Sequence, residues 1–167
     1  MKPYEVQLKP NEKSVKATQC RYGPEEQDFI TSSRKSLEKS KAVYKNPNSR
    51  WACLALPVRK PDTDQLRFTV DLEAVNTRTE AVQSSLAHYE LTLQKCEGRK
   101  LYAKVYLCNG LWYIYLSVRS QEIVSIQMSV DIYSPTRMLQ DGTDSATYFH
   151  DQTRNKSWGK WKNYYGG

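Results

Sequence analysis

Lys60 and Arg67 are the residues whose types and spacing most readily do chemistry. Both are permanent cations, and they flank a polar stretch, Pro61-Asp62-Thr63-Asp64, set between two β-prone runs. Two cations near the tip of a hairpin can clamp a triphosphate, the arginine through a planar fork of donors and the lysine as a point charge. The same pair also serves as solvated charge on an exposed hairpin, and residue type alone favours that plainer use. Other chemistries lack their residues. Cys20, Cys53, Cys96 and Cys108 are scattered, with no CxxC pair and no histidine at ligand spacing. That pattern gives neither a zinc site nor a dense disulfide framework, and reads as free thiols. His88 and His150 have no recognisable Ser or Cys partner, and no GxxxxGK[ST] phosphate loop is present.

The chain that must position these residues has 167 of them, enough for one domain with a real core. Its 39% hydrophobic and 26% charged content is that of a soluble globular protein. No run approaches the ~18 apolar residues of a membrane span, and residues 2–16 are too polar for a secretory signal. The expected setting is intracellular, cytoplasmic or nuclear, with no membrane partner. Charge is uneven. Residues 1–60 carry 13 basic against 6 acidic side chains, residues 61–153 carry 8 against 12, and residues 154–167 carry 4 against none. A basic front end with an overall charge of +7 suits a polyanionic partner.

Residues 1–22 mix turn formers with alternating charge and are expected to form an extended arm. Gly23-Pro24-Glu25-Glu26 is a helix start: proline fits the first helical position, and carboxylates suit the dipole there. Phe29, Ile30, Ser33 and Leu37 mark one face of a helix ending near Lys41. Asn46-Pro47-Asn48-Ser49 is a turn. Ala52–Lys60 reads as a strand that Pro57 demotes to an edge or bulge, and Leu66–Val70 as its half-buried hairpin partner. Leu86, Tyr89, Leu93 and Cys96 recur at helical spacing, with Gly98 as a C-terminal cap. Leu101–Leu107 is β-prone and ends in a turn at Asn109-Gly110. Ile123–Met128 and Ile132–Met138 read as further strands. Thr143–His150 reads as a helix capped by Thr143 or Asp144. The alternation of helices and hairpins predicts an α+β domain.

Four collinear segments resemble the reverse transcriptase domain of gypsy-type LTR retrotransposons. Val43-Tyr44-Lys45-Asn46-Pro47-Asn48-Ser49-Arg50-Trp51-Ala52, running on through Leu56-Pro57-Val58-Arg59-Lys60-Pro61, is similar to the family's "NPxSPWASP" and "PVxKK" elements. Arg67-Phe68-Thr69-Val70-Asp71-Leu72-Glu73-Ala74-Val75-Asn76 is close to "RFxVDxRxVN". Tyr102–Trp112 resembles the motif A strand "FxKxDLxxGFW", and Tyr133–Asp144 the motif B loop and helix. Roughly residues 5–152 are covered. The resemblance implies the fingers and part of the palm of a right-hand polymerase lacking the motif C hairpin. It divides the chain into an arm at 1–22, a fingers-like region at 23–100, a partial palm at 101–153 and a divergent tail at 154–167.

The resemblance also implies roles. Lys60 and Arg67 would close over an incoming nucleotide, with Asp71 near the sugar. Gln140 and Gly142 would lie beneath the template–nucleotide pair. Leu111 stands where relatives keep an aromatic that excludes the 2′-hydroxyl, and Glu73 where they carry arginine. Arg50, Arg59 and Arg137 are further candidates for contact with an RNA or DNA primer–template. The family uses two Mg²⁺ ions, held by a motif A aspartate and a later Asp-Asp pair. Here Tyr106 occupies the motif A position, and a phenol is neutral at pH 7 and a poor ligand for a hard cation. No two adjacent acidic residues follow it. Asp131, Asp141, Asp144 and Asp151 lie downstream, where capping or solvent exposure accounts for them.

The expectation is therefore a truncated, catalytically inactive fragment from a retrotransposon polyprotein with no metal cofactor. A non-catalytic nucleic-acid-binding module, or a decayed element with no surviving activity, are the alternatives. Residues 154–165 interleave aromatics with cations, a mix that stacks on bases and contacts phosphates; an out-of-frame tail has the same composition by chance.

Overall fold

Gly23 and Pro24 open the first helix where their chemistry predicts. In the computed structural model α1 spans Pro24–Lys39, with the Glu26 carboxylate accepting from the Gly23 amide at 2.9 Å. The helix stops two residues short of expectation because Lys41 turns left-handed at φ 56° and redirects the chain into β1 (Val43–Lys45). Ile30 is wholly buried, and Leu37 packs against the same core. The structure describes residues 2–18, 21–82 and 110–153, with positions 90, 94, 96–98, 100 and 101 between them.

The fold is α+β, built on one five-stranded mixed sheet. β2 (Cys53–Arg59) and β3 (Leu66–Asp71) form the predicted hairpin. β4 (Ile126–Met128) and β5 (Asp131–Pro135) form a second, and the sheet order is β1-β5-β4-β2-β3. β4 runs parallel to β2 through Cys53↔Ile126 and Leu54↔Gln127, and the other pairings are antiparallel. Pro57 therefore does not make β2 an edge strand. β4 covers only the first two residues of β2, so Pro57 lies past the end of that pairing. The amide of Lys60 bonds the carbonyl of Gln65 at 2.9 Å, which sets the hydrogen-bonding phase of the hairpin. By alternation Pro57, opposite Phe68, falls at a position whose N–H would face away from β3, so the ladder loses nothing.

Two further readings are corrected. Ile123 closes a short helix, α3 (Val118–Ile123), and does not begin a strand; Ser117 caps it by accepting from the Ser120 amide. Asp144 does not spend its carboxylate on a helix cap. Helical residues 145–153 follow it, but its oxygens accept from the Tyr4 hydroxyl and the Val82 amide, both at 3.0 Å. The expected helix face at Leu86, Tyr89 and Leu93, most of the Leu101–Leu107 strand, and the 154–167 tail lie outside the described residues. Gly98, the expected cap, has φ +75°, which suits glycine.

The segment 2–18 is extended and built into the body. Tyr4 pairs with Leu116, Leu8 with Thr79 and Lys16 with Ala52, while Tyr4 and Val6 join the core. That core also holds Ala55, Ile114, Ile126, Met128, Tyr133 and Met138. A line of buried hydroxyls, Ser49 to Ser125 at 3.0 Å and Ser125 to Ser134 at 2.7 Å, ties the 46–49 turn to the β4–β5 hairpin. No described helix is long and apolar enough to cross a membrane.

Candidate functional site

A cleft opens between α1 and the β2–β3 hairpin. Its position follows from the turn at 61–64, where Asp62 adopts φ 61° and the Thr63 amide bonds the Lys60 carbonyl at 3.3 Å. The turn leaves Lys60 at the end of one strand and Arg67 near the start of the other, both exposed. Lys60 Nζ donates to Gln65 Oε1 at 3.0 Å. Arg67 makes no ion pair among the described residues.

The cleft encloses about 1070 Å³. One wall is Lys60, Arg67, Phe68, Thr69 and Val70; the other is α1, through Ser32, Ser33, Ser36, Leu37 and Ser40; Trp112, Leu139 and Gln140 complete it. The serines recur at helical spacing along this side, Ser40 as the C-cap; the Ser32 and Ser40 hydroxyls donate to the Phe29 and Leu37 carbonyls. Among the described residues, no carboxylate lines the cleft. Two cations, a row of hydroxyls and one indole form a surface matched to an anionic, hydrogen-bonding ligand with an aromatic part.

The acids lie next door. A smaller hollow of about 390 Å³ is lined by Asp71, Glu73, Asp141 and Arg67 among others. Arg67 thus belongs to both hollows and separates the carboxylates from the cationic cleft. The Asp71 carboxylate accepts from the Glu73 amide at 2.9 Å, which starts α2 (Glu73–Asn76). Its charge, added to burial, pushes the Cys53 thiol up to about 12.

The loop carrying Gln140 and Gly142 is held by Asn76, a residue to which the sequence reading gave no role. Asn76 Nδ2 donates to the Asp141 carbonyl at 2.8 Å, and its Oδ1 accepts from the Thr143 amide and hydroxyl at 3.0 Å each. Asp141 sits at φ 65° within this brace. Gln140 reaches the cleft. Gly142 does not: it lines a small apolar void of about 30 Å³, and a Cβ there would stand 2.6 Å from Ser145 Oγ. Leu111 packs against the core, and its neighbour Trp112 lines the cleft.

The three arginines proposed for nucleic-acid contact lie apart from the cleft. Arg50 pairs with Glu122 at 3.2 Å, and Arg59 with Glu25 at 2.9 Å. Arg137 stacks on Tyr115 and donates to its hydroxyl at 2.7 Å. Tyr106 lies outside the described residues. Among the described residues no three His, Cys, Asp or Glu side chains gather where a metal ion would sit.

No protein-family model matches the sequence, and no curated protein matches it either. Among solved structures the chain is similar to a foamy viral protease–reverse transcriptase, solved in complex with double-stranded DNA, with a TM-score of 0.75 and 19% identity. The match covers 93% of this chain and 27% of that one, so the chain spans little more than a quarter of that protein. At this identity the likeness shows the fold: the sheet and helices described above are arranged as in part of a reverse transcriptase.

Proposed function

We propose that this chain is the fingers-like region (23–100) and partial palm (101–153) of a reverse transcriptase from a gypsy-type retrotransposon, with its arm at 1–22. On this reading it grips nucleotide or primer–template phosphates without joining them. The observation that carries the proposal is the meeting of Lys60, Arg67 and Gln140 on one cleft, with no carboxylate among its described lining residues. Those residues come from separate sequence segments, each of which resembles a nucleotide-contacting motif of the family. The foamy viral neighbour's complex with DNA supports a nucleic-acid partner.

Inactivity follows from the donor set. Tyr106 stands at the motif A position, where a phenol, neutral at pH 7, is a poor ligand for a hard cation. Without anionic ligands the primer hydroxyl keeps its high pKa, and the charge on the transferring phosphate goes unscreened. Other parts of a retroelement polyprotein would be the partners that complete the palm.

Two measurements test this. Primer extension on an RNA template with Mg²⁺ or Mn²⁺ should stay at the no-protein background; incorporation above it overturns the inactivity claim. Anisotropy with a labelled primer–template should show binding that weakens steeply with salt. Lys60→Ala/Arg67→Ala should lower that affinity and reduce the salt slope by roughly one per cation removed. An unchanged slope would remove the cleft from the proposal.

A further inference from the structure

Away from the cleft, three short segments are joined by isolated β-bridges that the sequence does not announce. Tyr4 pairs in parallel with Leu116, and Tyr115 pairs antiparallel with Arg137. The amide of Tyr4 bonds the Tyr115 carbonyl at 2.8 Å, and the amide of Met138 bonds the Ile114 carbonyl at 2.9 Å. Tyr115 alternates between the buried Ile114 and Leu116, and Tyr113 closes the 3₁₀ turn Gly110–Tyr113 just before them. Ile114, Leu116 and Met138 face the core and are 0%, 5% and 1% exposed. Tyr113 and Tyr115 face outward and are 68% and 50% exposed, large values for rings of this size.

The outer face is organised. The Arg137 guanidinium lies 3.4 Å from the centroid of the Tyr115 ring while its Nη2 donates to the Tyr115 hydroxyl. Such a stack fixes ring and guanidinium before any ligand arrives, which lowers the ordering cost of binding. The backbone brings Lys2 and Lys41 close to this face. Lys2 immediately precedes the segment that pairs with Leu116, and the Lys41 carbonyl accepts from Thr136 beside Arg137 at 2.9 Å. Among the described residues none of these three cations pairs with a carboxylate.

We infer that this face is a stacking platform for single-stranded nucleic acid, separate from the cleft. The exposed Tyr113 ring and the stacked Tyr115–Arg137 pair offer π surface to unpaired bases, and the nearby cations offer charge to the backbone between them. A duplex hides its base faces and would gain only the charge. The inference is independent of the cleft proposal, since no residue of the platform lines the cleft.

The test uses the whole chain and three labelled probes: an oligo-dT and an oligo-U of about 12 nucleotides, within the span such platforms cover, and a blunt duplex. Tyr113→Ala/Tyr115→Ala should weaken binding of the single strands about ten-fold or more and leave duplex affinity within about two-fold. Tyr113→Phe/Tyr115→Phe should retain single-strand binding, because the rings remain. Should the double alanine variant fail to fold, Tyr113→Ala alone, which removes one exposed ring, should still show a clear loss. The two single strands separate RNA from DNA preference, and a loss on either supports the platform. Unchanged single-strand affinity in the alanine variants overturns it, and so does an equal loss on duplex. If the substitutions instead dissociate a dimer of the chain without touching oligonucleotide binding, the face is a self-contact and the inference falls.

Discussion

Asn76 holds the loop that carries Gln140 to the cleft, and its removal has a size that the structure allows to be worked. Asn76→Ala deletes three hydrogen bonds, one to the Asp141 carbonyl and two from Thr143. Each is worth roughly 0.5–1.5 kcal/mol, and because all three are exposed, water replaces them well and the low end applies, about 1.5–2 kcal/mol together. Against this, the freed loop no longer holds Asp141 at φ 65°, and relaxing a non-glycine residue from that region returns up to ~1 kcal/mol. The net cost is then about 1 kcal/mol, or a melting temperature lower by about 2–4 °C for a chain of this length. A fall so small is hard to assign by melting alone. The sharper assay is amide hydrogen exchange at Thr143, whose N–H has the Asn76 side chain as its acceptor. That amide should lose protection in the variant, and the ligand affinity of the cleft should fall several-fold as Gln140 is released. Unchanged Thr143 protection together with an unchanged melting temperature would refute the reasoning.

Three other outcomes are expected. Burial, reinforced by the Asp144 charge, holds the Tyr4 hydroxyl far above its ordinary value of 10.0, and burial with the Asp71 charge pushes the Cys53 thiol from 9.0 to about 12. Both folded-state values are raised, so their stabilisation is complete below the unfolded values and is lost as pH climbs through the folded ones. The melting temperature should hold to about pH 9 and then decline, and Tyr4→Phe or Cys53→Ala should flatten the decline; a temperature constant to pH 11 counts against this. Gly110→Ala would set a Cβ 2.5 Å from Phe149 Cζ, and overpacking of that kind costs about 1–3 kcal/mol, visible as a clear loss in a denaturant melt. Tyr106→Asp alone should leave primer extension at background, because one carboxylate does not make a two-ion site; measurable synthesis would show that other acids of the chain complete it.

What the sequence made legible was local. Gly23-Pro24-Glu25-Glu26 punctuates a helix within four residues, and the turn at 61–64 with its flanking alternation specifies a hairpin without help from elsewhere. The cleft was half legible: Lys60 and Arg67 sit on that hairpin, but the serine wall of α1 faces them only through tertiary packing. Asn76 acts on residues 65 and 67 positions away, and no local pattern carries such a bond. Asp144 was read as a cap because Asp before a helix usually is one, and a tyrosine 140 positions earlier claimed its carboxylate instead. The helix α3 was hidden by β-prone neighbours, although Ser117 at its cap was a usable signal. Tyr4, Val6 and Leu8 alternate in the manner of a strand, a pattern masked by the polar Glu5 and Gln7 between them and the lysines on either side.

The pairing of the N-terminal segment also fixes an order of events during synthesis. Lys16 meets Ala52, Leu8 meets Thr79, and Tyr4 meets Leu116 and then Asp144. The partners emerge from the ribosome in the reverse of the order in which the segment itself was made, so it can only zip backwards, from its later residues to its first. At roughly 5–20 residues per second, Tyr4 waits on the order of ten seconds for its last partner. Through that interval its ring lacks the Leu116 and Asp144 partners that fix it in the folded chain.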